Sequence, residues 1–113
     1  MIDPGLWFRA FLLTVAVEVP VVLALTRGSS ASSGRRAFLV VAAQLMTHPL
    51  VWYVFPFLPN LPRSATFVMS ELFAWAAEAA FYAAAGVTTS NLQAIAVSAL
   101  ANAASLTIGY FFF

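Results

Sequence analysis

Four apolar stretches, at about 6–26, 37–57, 64–86 and 89–113, take up nearly all of the 113 residues. Each has about the 20 residues that a helix needs to cross a hydrocarbon core about 30 Å thick. Only short connections lie between them. The expected fold is therefore all-α: a polytopic membrane protein, one transmembrane domain over 1–113, built as an antiparallel four-helix bundle. The pattern excludes a water-soluble monomer, because 63% of residues are hydrophobic and 8% charged, against about 25% charged in soluble domains. A core of this size leaves more surface than so few polar residues can cover. The first stretch follows Met1-Ile2-Asp3-Pro4 with no basic segment and outruns the apolar run of a signal peptide, so it is expected to stay in the mature protein.

Charge narrows the partners. Five basic residues, all Arg, against four acidic ones give a net charge of +1, too little for nucleic-acid binding or for a polybasic lipid anchor. The absence of cysteine removes disulfides, iron–sulfur clusters and thiolate metal sites. Membrane lipid is the partner the composition implies.

The connections differ chemically. Residues 26–36 form a Ser-rich stretch with three of the five arginines, read as a flexible polar loop on the cytoplasmic side. Pro56-Phe57-Leu58-Pro59-Asn60-Leu61-Pro62-Arg63 is short, stiff and mostly apolar. The positive-inside rule then places both termini and the Pro-rich connection outside, with Arg9 counting against this orientation. Gly86 suits the residue after a helix, and Thr88, Thr89 or Ser90 can cap the next one, so the last two helices should form a hairpin. Their many Ala, Ser and Gly residues permit close approach in lipid. The aromatic clusters at 52–57 and 110–113 fall at the same outer surface.

The polar minority carries the functional information. Glu18, His48, Glu71 and Glu78 lie inside the apolar stretches, where ionisable groups are costly and face the bundle interior by default. At 1.5 Å per residue, Glu18, His48, Glu78 and Asn102 fall roughly 3, 2, 5 and 2 Å from the midplane of their stretches. Helical spacing groups them further. Thr14 and Glu18 share a face, as do Gln44 and His48 with Thr47 beside them. Glu71, Trp75, Glu78 and Tyr82 make a stripe, and Asn91, Ser98, Asn102, Ser105 and Gly109 make a seam. The simplest bundle turns all four faces inward. Pro20 and Pro49 are each expected to free a backbone carbonyl of the preceding turn, near Ala16 and Leu45, beside these groups.

Glu18, the string Gln44-Leu45-Met46-Thr47-His48-Pro49, the pair Glu71 and Glu78, and Ser98-x3-Asn102-x2-Ser105-x3-Gly109 together resemble a family of small four-span prokaryotic integral membrane proteins. In that family Asn-x-x-Thr-Asn-Pro stands where Gln44 to Pro49 stand here, so Gln44 and His48 replace two asparagines. The resemblance implies a four-span architecture in a prokaryotic cytoplasmic membrane and a polar site. No established activity comes with it.

The candidate site is accordingly Glu18, His48, Glu71 and Glu78 as cation ligands, supported by Gln44, Thr47, Ser98, Asn102 and Ser105. The cation is either a proton, exchanged among the carboxyl groups and His48, or a divalent metal, which imidazole and carboxylates both bind. The di-iron bundle pattern is excluded because it needs two Glu-x-x-His pairs. The expected function is that of a transporter-like or sensing protein, and a transporter this small would work as a homo-oligomer. Two other readings compete. One is a non-catalytic subunit of a larger membrane complex, its polar residues tying helices together. The other is an intramembrane enzyme using Thr47, Ser98 or Ser105 with His48, although the chain lacks a nucleophile elbow and metalloprotease motifs.

Overall fold

A computed structural model describes residues 3–112. It contains four α-helices, α1 (Pro4–Leu25), α2 (Ser33–Tyr53), α3 (Arg63–Ala84) and α4 (Asn91–Phe112), with a 3₁₀ turn at Phe55–Phe57. Local chemistry sets their ends. Asp3 accepts the Gly5 amide hydrogen ahead of Pro4 at the first helical position of α1. Ser32 does the same for Arg35, which starts α2 earlier than apolarity alone indicates. Ser90 accepts from Gln93 at the start of α4, and the Gln93 side chain accepts from the Thr89 amide, close to a capping box.

At the end of α3, Gly86 has φ +77°, and the Val87 amide reaches the Tyr82 carbonyl at 3.0 Å. This is the long bond of a Schellman cap, with Tyr82 and Val87 both fully buried over it. Gly86→Ala is expected to cost about 1 kcal/mol, since left-handed backbone strains an L side chain. Reversible unfolding in mixed micelles measures this; an unchanged midpoint would contradict the cap's importance.

Each helix packs on two neighbours, in the ring α1, α2, α3, α4 and back to α1, and chain order makes neighbours antiparallel. Buried positions recur at helical spacing: Phe11, Glu18 and Val22 on α1, and Thr66, Ser70, Ala74, Glu78 and Tyr82 every fourth residue on α3. Three helical segments are long and apolar enough to cross a membrane: Pro4–Leu25, Ser33–Phe57 and Asn91–Phe112. The predicted stretch 64–86 becomes α3, which contains Glu71 and Glu78 and falls outside that set. Polarity is inverted relative to a water-soluble fold. Glu18, Glu78 and Gln44 are 1%, 1% and 2% exposed, whereas Leu92 is 76% and Phe38 70% exposed.

The two ends of the bundle differ. Near the 26–32 and 85–90 connections, Val22, Val40, Tyr82, Val87, Ala94, Val97 and Ala101 form a tight apolar core. The Ser-rich connection there is held down, contrary to its reading as a flexible loop. Ser29 donates to the Gly86 carbonyl at 3.0 Å, and Thr26 is fully buried. Arg36 reaches back from α2 to the Ala31 and Leu23 carbonyls and to Thr26 Oγ1, at 3.1, 3.2 and 2.7 Å. A guanidinium therefore closes the C-terminus of α1, where carbonyls lack partners and the helix dipole favours a cation.

Candidate functional site

Above that sealed end the helices diverge around a cavity of about 730 Å³. Glu18, Gln44, Glu78, Asn102 and Ser105 border its deep end, and Trp52, Pro56, Arg63 and Tyr110 border its mouth. The mouth lies where α2 and α4 end and α3 begins. Trp52 and Pro56 of one aromatic cluster and Tyr110 of the other thus border the cavity at the same end of the bundle, and Phe113 lies outside the described residues.

One hydrogen-bonded layer joins the four helices at the deep end. The Gln44 amide nitrogen donates to Glu18 Oε1 at 2.7 Å and to Glu78 Oε1 at 3.0 Å. Two carboxyl oxygens bonded to one nitrogen are necessarily neighbours. Thr47 donates to Glu78 Oε2 at 2.9 Å, Asn102 to Glu78 Oε1 at 3.2 Å, and Ser105 to Glu18 Oε2 at 2.7 Å. Among the described residues Gln44 is the one side chain that donates to both acids, as an amide nitrogen carrying two hydrogens can.

Other expected members lie apart. His48 is one turn nearer the mouth, its Nε2 3.5 Å from Thr14 Oγ1 and its ring among Trp7, Phe11 and Trp52, with centroids 5.7 to 6.0 Å away. Its Nδ1 is buried without a partner. Glu71 is half-buried on the cavity wall, two turns above Glu78, and makes no hydrogen bond among the described residues. Ser98 donates to the Trp75 carbonyl, and the Trp75 indole donates to the Ile95 carbonyl, so this pair stitches α3 to α4. Asn91, expected on the inward seam, is exposed at the start of α4.

Several finer expectations change. Among the described residues no three of His, Asp and Glu gather in a group able to hold a metal ion. All four of Glu18, His48, Glu71 and Glu78 border the cavity, but Glu18 and Glu78 lie together at its deep end with His48 and Glu71 nearer the mouth, and the four do not form one coordination sphere. Thr47, Ser98 and Ser105 donate to carbonyls or carboxyl groups, and none is bonded to His48, so the nucleophile and base of a hydrolase are not paired. Arg9 is exposed and its side chain donates to the Gly5 carbonyl. Ala16 and Leu45 lie on outward faces, so Pro20 and Pro49 do not aim freed carbonyls at the acids. The Tyr82 hydroxyl is buried without a partner one turn below Glu78, on the stripe visible in the sequence. The His48 aromatic surround was legible as two i,i+4 pairs, Trp7 with Phe11 and His48 with Trp52, but on different helices.

The chain matches no protein-family model, no curated protein and no solved structure.

Proposed function

We propose that the protein is a four-span integral membrane protein whose Glu18 and Glu78 pair binds a cation, and that the cation is a proton. The carrying observation is a pair of neighbouring carboxyl groups at the closed end of a cavity open at one end of the bundle. In a low-dielectric interior two adjacent carboxylates repel strongly, and one proton shared between them removes that cost. The cavity supplies the path for exchange with one side only. With the arginine-bearing connection in the cytoplasm, that side is external. A divalent metal is supported less well, because the acids spend their oxygens on five hydrogen bonds from four side chains and no third ligand converges. The function that follows is proton-linked transport or sensing.

Infrared spectroscopy of the protein in lipid vesicles tests this. A protonated-carboxyl band is expected that exchanges with deuterium and titrates with pH, and that changes in both Glu18→Gln and Glu78→Gln. A band that neither exchanges nor titrates would reject the proposal. It would favour the second reading, in which the layer holds helices together in a subunit of a larger complex. That reading draws on the completeness of the hydrogen bonding around both acids.

A further inference from the structure

Glu71 differs from the two deeper acids in having no protein partner among the described residues, and it stands where two spaces adjoin. Phe67, Glu71, Asn102 and Leu106 border both the central cavity and a groove of about 340 Å³ on the outer side of α3 and α4. That groove continues over Val68, Leu72, Trp75, Ala99 and Ala103, and the two alanines leave room between the larger side chains. A carboxyl group thus sits at a lateral boundary between the interior and the surface that the proposed topology turns toward lipid.

We propose that Glu71 receives the head of an amphiphilic monocation of the alkylammonium class, whose chain lies in the α3–α4 groove and which reaches the cavity sideways from the bilayer. This goes beyond the proton reading above: it concerns another carboxyl group and an organic cation, and shares with that reading only the membrane-spanning topology. Size argues for an organic ligand, because 730 Å³ falls in the range of about 300–1,000 Å³ typical of organic-ligand pockets and far exceeds a bare ion. Charge argues for a cation: Glu18, Glu71 and Glu78 border the cavity, and the one arginine bordering it, Arg63, is exposed at the mouth. Phe67 and Trp52 add aromatic surface of the kind that attracts ammonium groups. A chain in the groove stays in apolar surroundings while the head loses its hydration beside a carboxylate, which favours an amphiphile over a fully water-soluble amine.

The experiment compares octyltrimethylammonium, octanol and octyl sulfate, which share one chain, binding to the protein in lipid nanodiscs by equilibrium dialysis. The ammonium should bind saturably, about tenfold more tightly than octanol, with no saturable binding of the sulfate. Glu71→Gln should lose about tenfold for the ammonium alone, with helical content and unfolding midpoint unchanged, and Glu71→Asp should recover part of it. Ala103→Trp, which fills the groove from outside, should also weaken binding. Equal binding of ammonium and octanol, or wild-type binding by Glu71→Gln, would overturn the inference. If the carboxyl band titrates and the ammonium does not bind, the lateral site is wrong and the acid-pair reading stands. Ammonium binding that depends on Glu71 without a titrating band supports the lateral site and rejects the proton pair.

Discussion

Replacing Gln44 by Leu is expected to lower stability by about 2–4 kcal/mol, because two buried carboxyl oxygens lose a donor at about 1–2 kcal/mol each. Gln44 bridges Glu18 and Glu78 at 2.7 and 3.0 Å, and α2 offers no substitute of the same reach. The other donors in the layer have fallbacks: Thr47 also reaches the Ala43 carbonyl, Asn102 the Ser98 carbonyl and Ser105 the Asn102 carbonyl. Converting Glu18, Gln44 and Glu78 together to Leu should therefore restore stability to within about 1 kcal/mol of the wild type, since both sides of the Gln44 bonds are removed and the remaining donors keep carbonyl acceptors. Unfolding in mixed micelles by denaturing detergent measures both variants. A stable triple variant that has lost the titrating infrared band would separate proton binding from helix adhesion. A loss under about 0.5 kcal/mol for Gln44→Leu would show that the bridge carries little energy.

Arg36→Met is expected to cost about 2–4 kcal/mol, while Arg35→Ala, one residue away and exposed, should stay within about 0.5 kcal/mol. Arg36 satisfies the Leu23 and Ala31 carbonyls and the Thr26 hydroxyl from a buried position. Methionine fills similar space but leaves those acceptors unpaired at the end of α1. Lysine should recover only part, lacking the forked donor geometry. The same unfolding measurement checks all three, and equal losses at Arg35 and Arg36 would remove the guanidinium cap from this account.

Much of the site was readable as spacing. Glu18, Glu78 and Asn102 fall near mid-helix by counting, Gln44 and Ser105 lie on the polar faces of their helices by spacing, and an apolar environment leaves such residues nowhere to go but inward. The 3.6-residue period fixes a direction on each helix, not the height at which helices meet. His48, close to mid-helix by counting, sits one turn toward the mouth among aromatic rings. Glu71 shares a face with Glu78 and still stands apart from it, on the cavity wall. The arginines of the first connection looked equivalent in the sequence, yet Arg36 is buried in a structural cap and Arg35 is exposed.

Length and apolarity by themselves determined that this chain forms long helices joined by short turns. Asp3, Ser32, Gly86 and Ser90 set several helix ends through bonds to residues at most five positions away. Tertiary structure decided which polar side chains meet, that one end is sealed while the other holds a cavity, and that the acids do not form a metal cage. Those outcomes depend on the relative heights and tilts of packed helices. Such offsets arise from contacts between residues as far apart as Glu18 and Ser105, and no local period encodes them.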